Sequence, residues 1–563
     1  MKKKVLYVWG GAPYHATPTQ NKLFQQILAD DGRFDADLTN DLDALASLRT
    51  GQYAAVVLYT SDQHDALTPE REQGLLSYIR NGGGFVGLHS AMACFNQNRH
   101  YVDMLGGTFM HHPPQHEFEV TISNPDHYLT ARMPKFSVYD ELYLLHHPSN
   151  PGKIVETHDL ASRSGMTVLA ETQWQGARVP MAYVCGYGHG KVACLMPGHT
   201  DLTWKNPDFQ KLVVRSIAWV IGAKASDKVI RCAALGYGGA FNMGKGHLEW
   251  IAATPGMQAV AVCDADPKRV NAAKTDLPQL QGYFTSLDDL LKMDALDLIV
   301  DILPHNLHAP TAIQALNAGK HVVTEKPFCI SVDEANAMIG AAQQNGRMLS
   351  AFHNRRWDGD YLLIQDLIKR GLIGEVFHIE CGLSGYNHPG FWWRSDKEVS
   401  GGVMHDWGAH FLDWALNLVP SKIAQVTGNF RKLVWQAVSN EDHGQAYIRF
   451  ENGTTVDLLI SSITALPRTK WRIFGSKGAI EANWKDELQL VSYANGVEQK
   501  STVKITLPGY GSTQYYRNIA DHLLMGEALA VKPEQARRVI GVIDAAQRSS
   551  ACGHSVAVAV GCE

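Results

Sequence analysis

The chain has 563 residues, too many for a single hydrophobic core, so roughly two to four domains are expected. Hydrophobic residues make up 45% and charged residues 19%, and the net charge of −5 comes with no basic block, which excludes an electrostatic binder of nucleic acid or anionic membrane. Nine scattered cysteines without a Cys-x-x-Cys pair point to reduced thiols in a cytoplasmic protein, and no stretch is apolar enough to span a bilayer.

The opening MKKKVLYVWGG has the basic start of a leader, but its apolar run is only about seven residues and meets Gly-Gly-Ala-Pro, so a strand is expected at residues 5–9. A helix at 21–29, a strand at 54–59, a helix at 70–79 and a strand at 83–89 ending in a turn at Ser90 follow. This alternation is that of a parallel α/β layer. From Glu117 the pattern turns strand-rich, at 118–122, 168–171, 181–184 and 191–196, and a helix at 212–221 closes the segment. Thirteen of the 25 histidines lie before residue 223. His15 and His199 follow strands and His89 ends one, while His111, His112 and His116 crowd one Pro-rich loop; Asp140, Glu141 and Tyr143 can join the same pocket. Imidazoles converging at strand ends bind a metal or move protons. The spacing matches no compact zinc pattern, so a divalent metal is admissible but not assigned, and solvated loop residues are the plain alternative for His111 and His112. His15, His89, His116, Glu141 and His199 are the candidates for this site.

The segments VLYVWGGAPYH, GLHSAMACF, YDELYLL and YGHGKVACLMPGHT resemble the trehalose-utilisation (ThuA-like) family over about the first 220 residues. The resemblance implies a flavodoxin-like fold related to class I glutamine amidotransferases, and work on sugars, 3-keto-sugars among them. Where an amidotransferase has Gly-x-Cys-x-Gly, this chain has Gly87-Leu88-His89-Ser90-Ala91, and Cys94 lies too far along to replace the thiol. Glutamine hydrolysis through a thioester is therefore not expected.

Residues 223–228 read as a linker. A buried strand at 229–235 then enters a glycine loop with Gly236, Gly238 and Gly239, and a helix from about His247. The third glycine of Gly-x-Gly-x-x-Gly is missing at its place; Gly244 can take that role in a longer loop. The strand at 260–263 ends in Asp264, which would accept from a ribose 2′-hydroxyl and repel a 2′-phosphate. NAD is favoured over NADP, with Lys268 and Arg269 pulling the other way; an N-cap for the helix at Pro267 is the plain alternative for Asp264. The apolar run 298–300 reaches Asp301 and a loop with Pro304, His305, Asn306 and His308, then a helix to about Ala318. A strand at 321–324 delivers Glu325-Lys326-Pro327. Ligands gather beyond the carboxyl ends of such strands. The cofactor-binding candidates are therefore Gly236, Gly238, Gly239, Gly244, Asp264, Pro304, His305, Asn306, His308, Glu325 and Lys326.

A helix at 331–344, a strand at 349–352 and a helix at 361–370 complete this region. From 374 the chain is rich in strands of antiparallel type, at 374–380, 424–429, 445–451, 454–461, 470–475 and 478–482, with Asn452-Gly453 as a hairpin turn. Helices at 515–525 and 534–551 close it. Within SGGVMHDWGAHFLD, a helix from about Val403 would put Asp406 and His410 on one face with Asp413 near the same stripe. A carboxylate there would raise the imidazole's basicity; an ordinary ion pair is the plain alternative. The double glycine suggests close backbone approach to something else.

The glycine loop, ILPHNLHAPTAIQALNAGKHVVTEKP, FHNRRWD, IGEVFHIE, WWRSD and GGVMHDWGAHFLD resemble the Gfo/Idh/MocA oxidoreductase family from about residue 229 to the C-terminus. Lys326, Asp406 and His410 match its catalytic positions. The resemblance implies NAD(P)-dependent oxidation of a secondary sugar or cyclitol hydroxyl, or reduction of the ketone, and a homodimer or tetramer. His410 is then the candidate base, Lys326 the holder of the alkoxide, and Asp406 its counter-charge. Arg356, Tyr386, His388, Trp393 and Arg394 are expected to line the sugar site. The enlarged loop after Gly238 departs from the family pattern.

The expected architecture is α/β: a flavodoxin-like domain at 1–222, a linker, a Rossmann dinucleotide-binding domain at 229–352, and at 353–563 an α+β domain with a large, mostly antiparallel sheet. The expected function is oxidation of a sugar or glycoside hydroxyl, at C3, with the ThuA-like domain binding or processing the keto-sugar. The alternatives are a redox-neutral NAD-dependent glycoside hydrolase and a non-enzymatic sugar sensor.

Overall fold

Apolar runs bounded by Gly, Pro and Asp become buried strands, and amphipathic runs become the helices that cover them. The computed structural model describes residues 2–147, 149–224, 226–238, 241–506 and 511–563; Gly239 of the glycine loop lies outside these. One unit comprises Met1–Asp227 with His522–Ala528, the other Lys228–Asp521 with Leu529–Glu563.

The first unit is built on a nine-stranded sheet. Five parallel strands run in the order Phe34–Thr39, Lys3–Gly10, Ala55–Thr60, Gly84–Leu88, Gly190–Leu195. This is the doubly wound, flavodoxin-like order. Four antiparallel strands, Ala177–Tyr187, Met166–Trp174, His116–Ile122 and Phe136–Asp140, extend it. The strand Phe34–Thr39 carries only one buried residue, so its sequence lacks the apolar run that marks its neighbours. The segment His522–Ala528, which the sequence places in the last domain, groups with this unit. Met525 joins the unit's core, and Glu527 takes the buried Arg215 Nε at 2.6 Å.

The second unit holds a six-stranded parallel sheet in the order Gly282–Phe284, Met257–Cys263, Ile230–Leu235, Leu298–Asp301, His321–Thr324, Leu349–Ala351. Numbered along the chain this is 3-2-1-4-5-6, the Rossmann order. An eight-stranded sheet follows, antiparallel except where Val376–Ser384 pairs with Thr455–Ser461. The helices Trp407–Leu418 and Pro533–Cys552 pack on it in one core. Its last strands are Glu487–Ala494, whose Leu488 and Leu490 turn into the core, and Val497–Lys504, whose polar residues are almost wholly exposed; neither is among the expected strands. No helix among the described residues is long and apolar enough to cross a membrane.

Candidate functional sites

Gly236 follows the strand Ile230–Leu235 with φ +101°, and a Cβ there would lie 2.9 Å from the Ile302 carbonyl oxygen. A Cβ on Gly244 would lie 2.5 Å from the Gly236 carbonyl oxygen. Gly244 therefore allows the helix Met243–Ala252, which begins earlier than the expected His247, to press against the glycine loop. A Cβ on Gly238 would lie 3.1 Å from the Arg269 Nη1. Asp264, just past the strand Met257–Cys263, accepts from the Tyr237 N–H at 2.8 Å and the Asp266 N–H at 2.9 Å. Asp266, not Asp264, caps the helix Pro267–Asp276. Arg269 Nη1 stands 3.7 Å from Asp264 Oδ2. Glycines before a helix N-terminus, with an acid ending the next strand, fit a dinucleotide.

The loop after Asp301 starts the helix His305–Asn317, with Pro304 at its N-cap. His305 donates from Nδ1 to the Ser400 carbonyl at 2.8 Å and meets Trp393 edge-on at 4.8 Å. His308 lies between the Pro327 and Leu303 carbonyls, 2.9 Å from each, and so ties two strand-end loops together. Asn306 Oδ1 is buried and has no partner. Glu325 meets His247 Nε2 at 3.1 Å and accepts the Lys326 N–H at 2.9 Å, so it braces the turn that carries the lysine.

Lys326 Nζ donates to Asp406 Oδ1 at 2.5 Å, and Arg394 Nη1 is 3.8 Å from Asp406 Oδ2. Burial works against the Asp406 charge, but Lys326 and Arg394 outweigh it and hold the carboxyl well below the usual range. The expected helix from Val403 is not continuous: Val403–His405 is a 3₁₀ turn, Asp406 sits at φ −82° and ψ −90°, and the α-helix is Trp407–Leu418. Asp406 and His410 are thus not stacked on one helix face. The break turns Asp406 toward Lys326 while His410 stays on the helix. The double glycine makes room from within: a Cβ on Gly401 would strike the His405 ring at 2.9 Å, and one on Gly402 would approach Glu441 Oε2 at 3.0 Å.

His410 is buried, and its Nδ1 has no hydrogen-bond partner. Burial, then the positive charges of Lys326 and Arg355, push it well below the ordinary imidazole range, so it stands neutral at physiological pH. The five residues expected at the sugar separate. Trp393 and Arg394 stay with Lys326 and Asp406, the guanidinium lying 5.0 Å from the Trp392 ring and 5.1 Å from the Phe241 and Trp393 rings. Tyr386 and His388 instead gather around Trp435 at 5.6 and 5.1 Å. Arg356 is engaged by Asp413, Nε to Oδ2 at 2.8 Å and Nη2 to Oδ1 at 2.5 Å, and is not free to bind sugar. A cleft of about 550 Å³ lies beside Trp407, lined by Arg355, Asp360, Lys470 and Trp484 among others.

In the first unit, the carboxyl ends of neighbouring parallel strands bring together His15, Ser61, His89 and His199. Glu141, just past Phe136–Asp140, completes the group. His89 takes the elbow position with φ +36°, a left-handed backbone rare outside glycine and asparagine, which throws its ring into the pocket. Glu141 Oε2 lies 4.0 Å from His15 Nε2, 3.5 Å from His89 Nε2 and 3.2 Å from His199 Nδ1. His15 is lowered to about 3, by burial first and by its imidazole neighbours next. Asp140 accepts backbone N–H groups of Gly198, His199 and Thr200 at 2.6, 3.0 and 3.2 Å, which fixes the loop bearing His199. His116 is not part of the group: its Nδ1 meets the Pro114 carbonyl and its ring packs near Phe118 and Trp174. His112, read as a loop residue, comes within 3.5 Å of Glu141 Oε1 instead. A one-residue choice within a His-His-Pro-Pro-Gln-His loop has no periodic signal to guide it.

Residues 4–220 match the family described as trehalose utilisation (ThuA). Residues 230–353 match the oxidoreductase family with NAD-binding Rossmann fold, and 361–481 the GFO/IDH/MocA C-terminal domain. Scyllo-inositol 2-dehydrogenase (NADP(+)) IolW of Bacillus subtilis is 28% identical over 307 residues, 50% of this chain and 84% of that protein. A glycosyl hydrolase family 109 protein of Shewanella pealeana is 28% identical over 166 residues, 28% of this chain and 36% of that protein. The crystal structure of an NAD-binding protein from Listeria innocua superposes with a TM-score of 0.53 at 27% identity, covering 59% of this chain and 97% of that one.

Proposed function

We propose, for a chain that belongs to the GFO/IDH/MocA oxidoreductase family and carries a ThuA domain ahead of it, that the second unit oxidises a secondary hydroxyl of a sugar or glycoside, at C3, to a ketone. The observation that carries this reading is the Lys326–Asp406 pair at 2.5 Å, beside the neutral His410, whose Nδ1 has no hydrogen-bond partner. Bound NAD supplies the hydride acceptor. Every other task falls to the chain. His410 takes the hydroxyl proton on its free lone pair as the carbinol carbon gives up hydride. The Lys326 ammonium holds the oxygen as its charge grows, and Asp406 keeps that ammonium charged and aimed. Trp393 and Arg394 flank the reacting carbon. Asp264 favours NAD, although Arg269 at its side and the NADP named for IolW keep NADP in the assay. In this proposal the ThuA domain binds or processes the keto-sugar, whose C2 hydrogen the ketone acidifies. The protein is cytoplasmic and assembles as a dimer or tetramer through the open face of the large sheet, where Phe377 and Tyr447 are exposed.

The test is absorbance at the NADH band with excess NAD and a panel of glucosides, cyclitols and free sugars. NADH formed in proportion to one sugar, and lost in Lys326→Ala, is expected. Aglycone release without net NADH would replace this reading with the redox-neutral hydrolase, which the family 109 relative favours. No product from any sugar would replace it with a sensor.

A further inference from the structure

We propose that His15, His89, His199 and Glu141 bind one first-row divalent transition-metal ion. One donor atom from each lies within 4.8 Å of all the others. Donors held at about 2.0–2.2 Å from a common ion sit roughly 3–4 Å apart, so closing the group takes only side-chain adjustment. The electrostatics demand a cation. His89 Nδ1 faces the Met196 carbonyl at 2.7 Å and must carry the proton, which leaves the Nε2 lone pair pointing at the Glu141 carboxylate. Neither His89 Nε2 nor His199 Nδ1, both buried, has a hydrogen-bond partner. The His89 lone pair facing an anionic oxygen repels it unless a positive charge stands between them. Protons answer this poorly, because each protonated ring would add a charge beside the others in a buried pocket. One divalent ion satisfies all four donors together.

The surroundings are those of ligating histidines, whose remote nitrogens are held by hydrogen bonds. His15 Nδ1 meets Ser61 Oγ at 3.1 Å, His89 Nδ1 the Met196 carbonyl, and the His199 loop hangs on Asp140. The Tyr143 hydroxyl, 3.3 Å from His15 Nε2, shares that donor with the ion. Three imidazoles and one carboxylate suit zinc, cobalt, nickel or manganese, and not magnesium or calcium. On the reading of the ThuA domain given above, the ion's remaining positions take the ketone oxygen and a neighbouring hydroxyl of the keto-sugar; metal binding itself does not depend on that reading.

The test uses the full chain without a histidine tag, stripped with a chelator and titrated with Co²⁺ while the visible d–d bands and metal content are followed. One equivalent is expected, with the bands lost in His89→Ala and Glu141→Gln and kept in His116→Ala. X-ray absorption of the zinc-loaded wild type is expected to show an imidazole-rich nitrogen and oxygen shell, which needs no folded variant. No binding of Co²⁺, Zn²⁺ or Mn²⁺ by the wild type, a sulfur shell, or bands that survive both substitutions would overturn the proposal. A metal bound at these residues with no effect of keto-sugars on the Co²⁺ spectrum would leave it standing and remove only the ketone reading.

Discussion

Replacing Arg356 with methionine separates a structural from a sugar-binding role. The Arg356 and Asp413 side chains are only 11% and 2% exposed. Asp413 keeps Asn417 Nδ2 at 3.4 Å as its nearest remaining side-chain donor once the guanidinium is gone. Removing one partner of a buried pair leaves the other charge unmatched and costs about 3–5 kcal/mol. The melting temperature of the unit should fall by on the order of 5–10 °C. The deficit should depend on pH. In the wild type, burial works to raise the Asp413 carboxyl, and Arg356 and His353 more than reverse it, so the group is lowered. Its contribution is present above the unfolded value of about 3.9 and lost as pH falls through the folded value. In the variant burial is left largely unopposed, the folded value rises, and stability drains away as pH increases through it. The gap between the two proteins should therefore widen from mildly acid to neutral pH. Differential scanning calorimetry at both ends, following the transition that NAD raises, measures it. Arg356→Met combined with Asp413→Leu should recover most of the loss. An unchanged melting temperature in Arg356→Met together with a tenfold or greater rise in KM for the sugar would refute this reasoning and return Arg356 to the substrate.

Lys326→Ala should lower kcat about 10²–10³-fold, the usual effect of losing one charge-stabilising donor, with KM for NAD little changed in steady-state assays. Because His410 is pushed well below the ordinary imidazole range, kcat/KM should stay level as pH falls through about 6.5, with the acid limb appearing only below it. Asp264→Ser should raise the ratio of NADP to NAD use, measured as kcat/KM for each, since Arg269 would then face a 2′-phosphate without a competing carboxylate. Asp140→Asn sets an amide against backbone N–H donors and should destabilise the first unit by about 1–3 kcal/mol in urea unfolding.

Order along the chain was legible where burial on both faces makes apolar runs, as at Val322 and Val323, or where a Gly or Pro marks an end. The strands whose residues are half exposed or polar, Phe34–Thr39 and Val497–Lys504, left no such mark. Residue types with few uses outside chemistry were legible too: Lys326 before a proline, Asp264 at a strand end, and histidines following strands. Partnership was not. Asp406 spaced four from His410 reads as a helical pair, yet the backbone breaks at Asp406 and delivers it to Lys326. Arg356 reads as a free cation, yet Asp413 holds it from another element. His112 and His116 are equivalent as letters, and the fold brings only His112 to Glu141. Periodicity and turn chemistry are local and act within a few residues, so they survive in one dimension. Which donor meets which acceptor depends on elements far apart in the chain and on how their backbones end, and that is set when the sheets assemble.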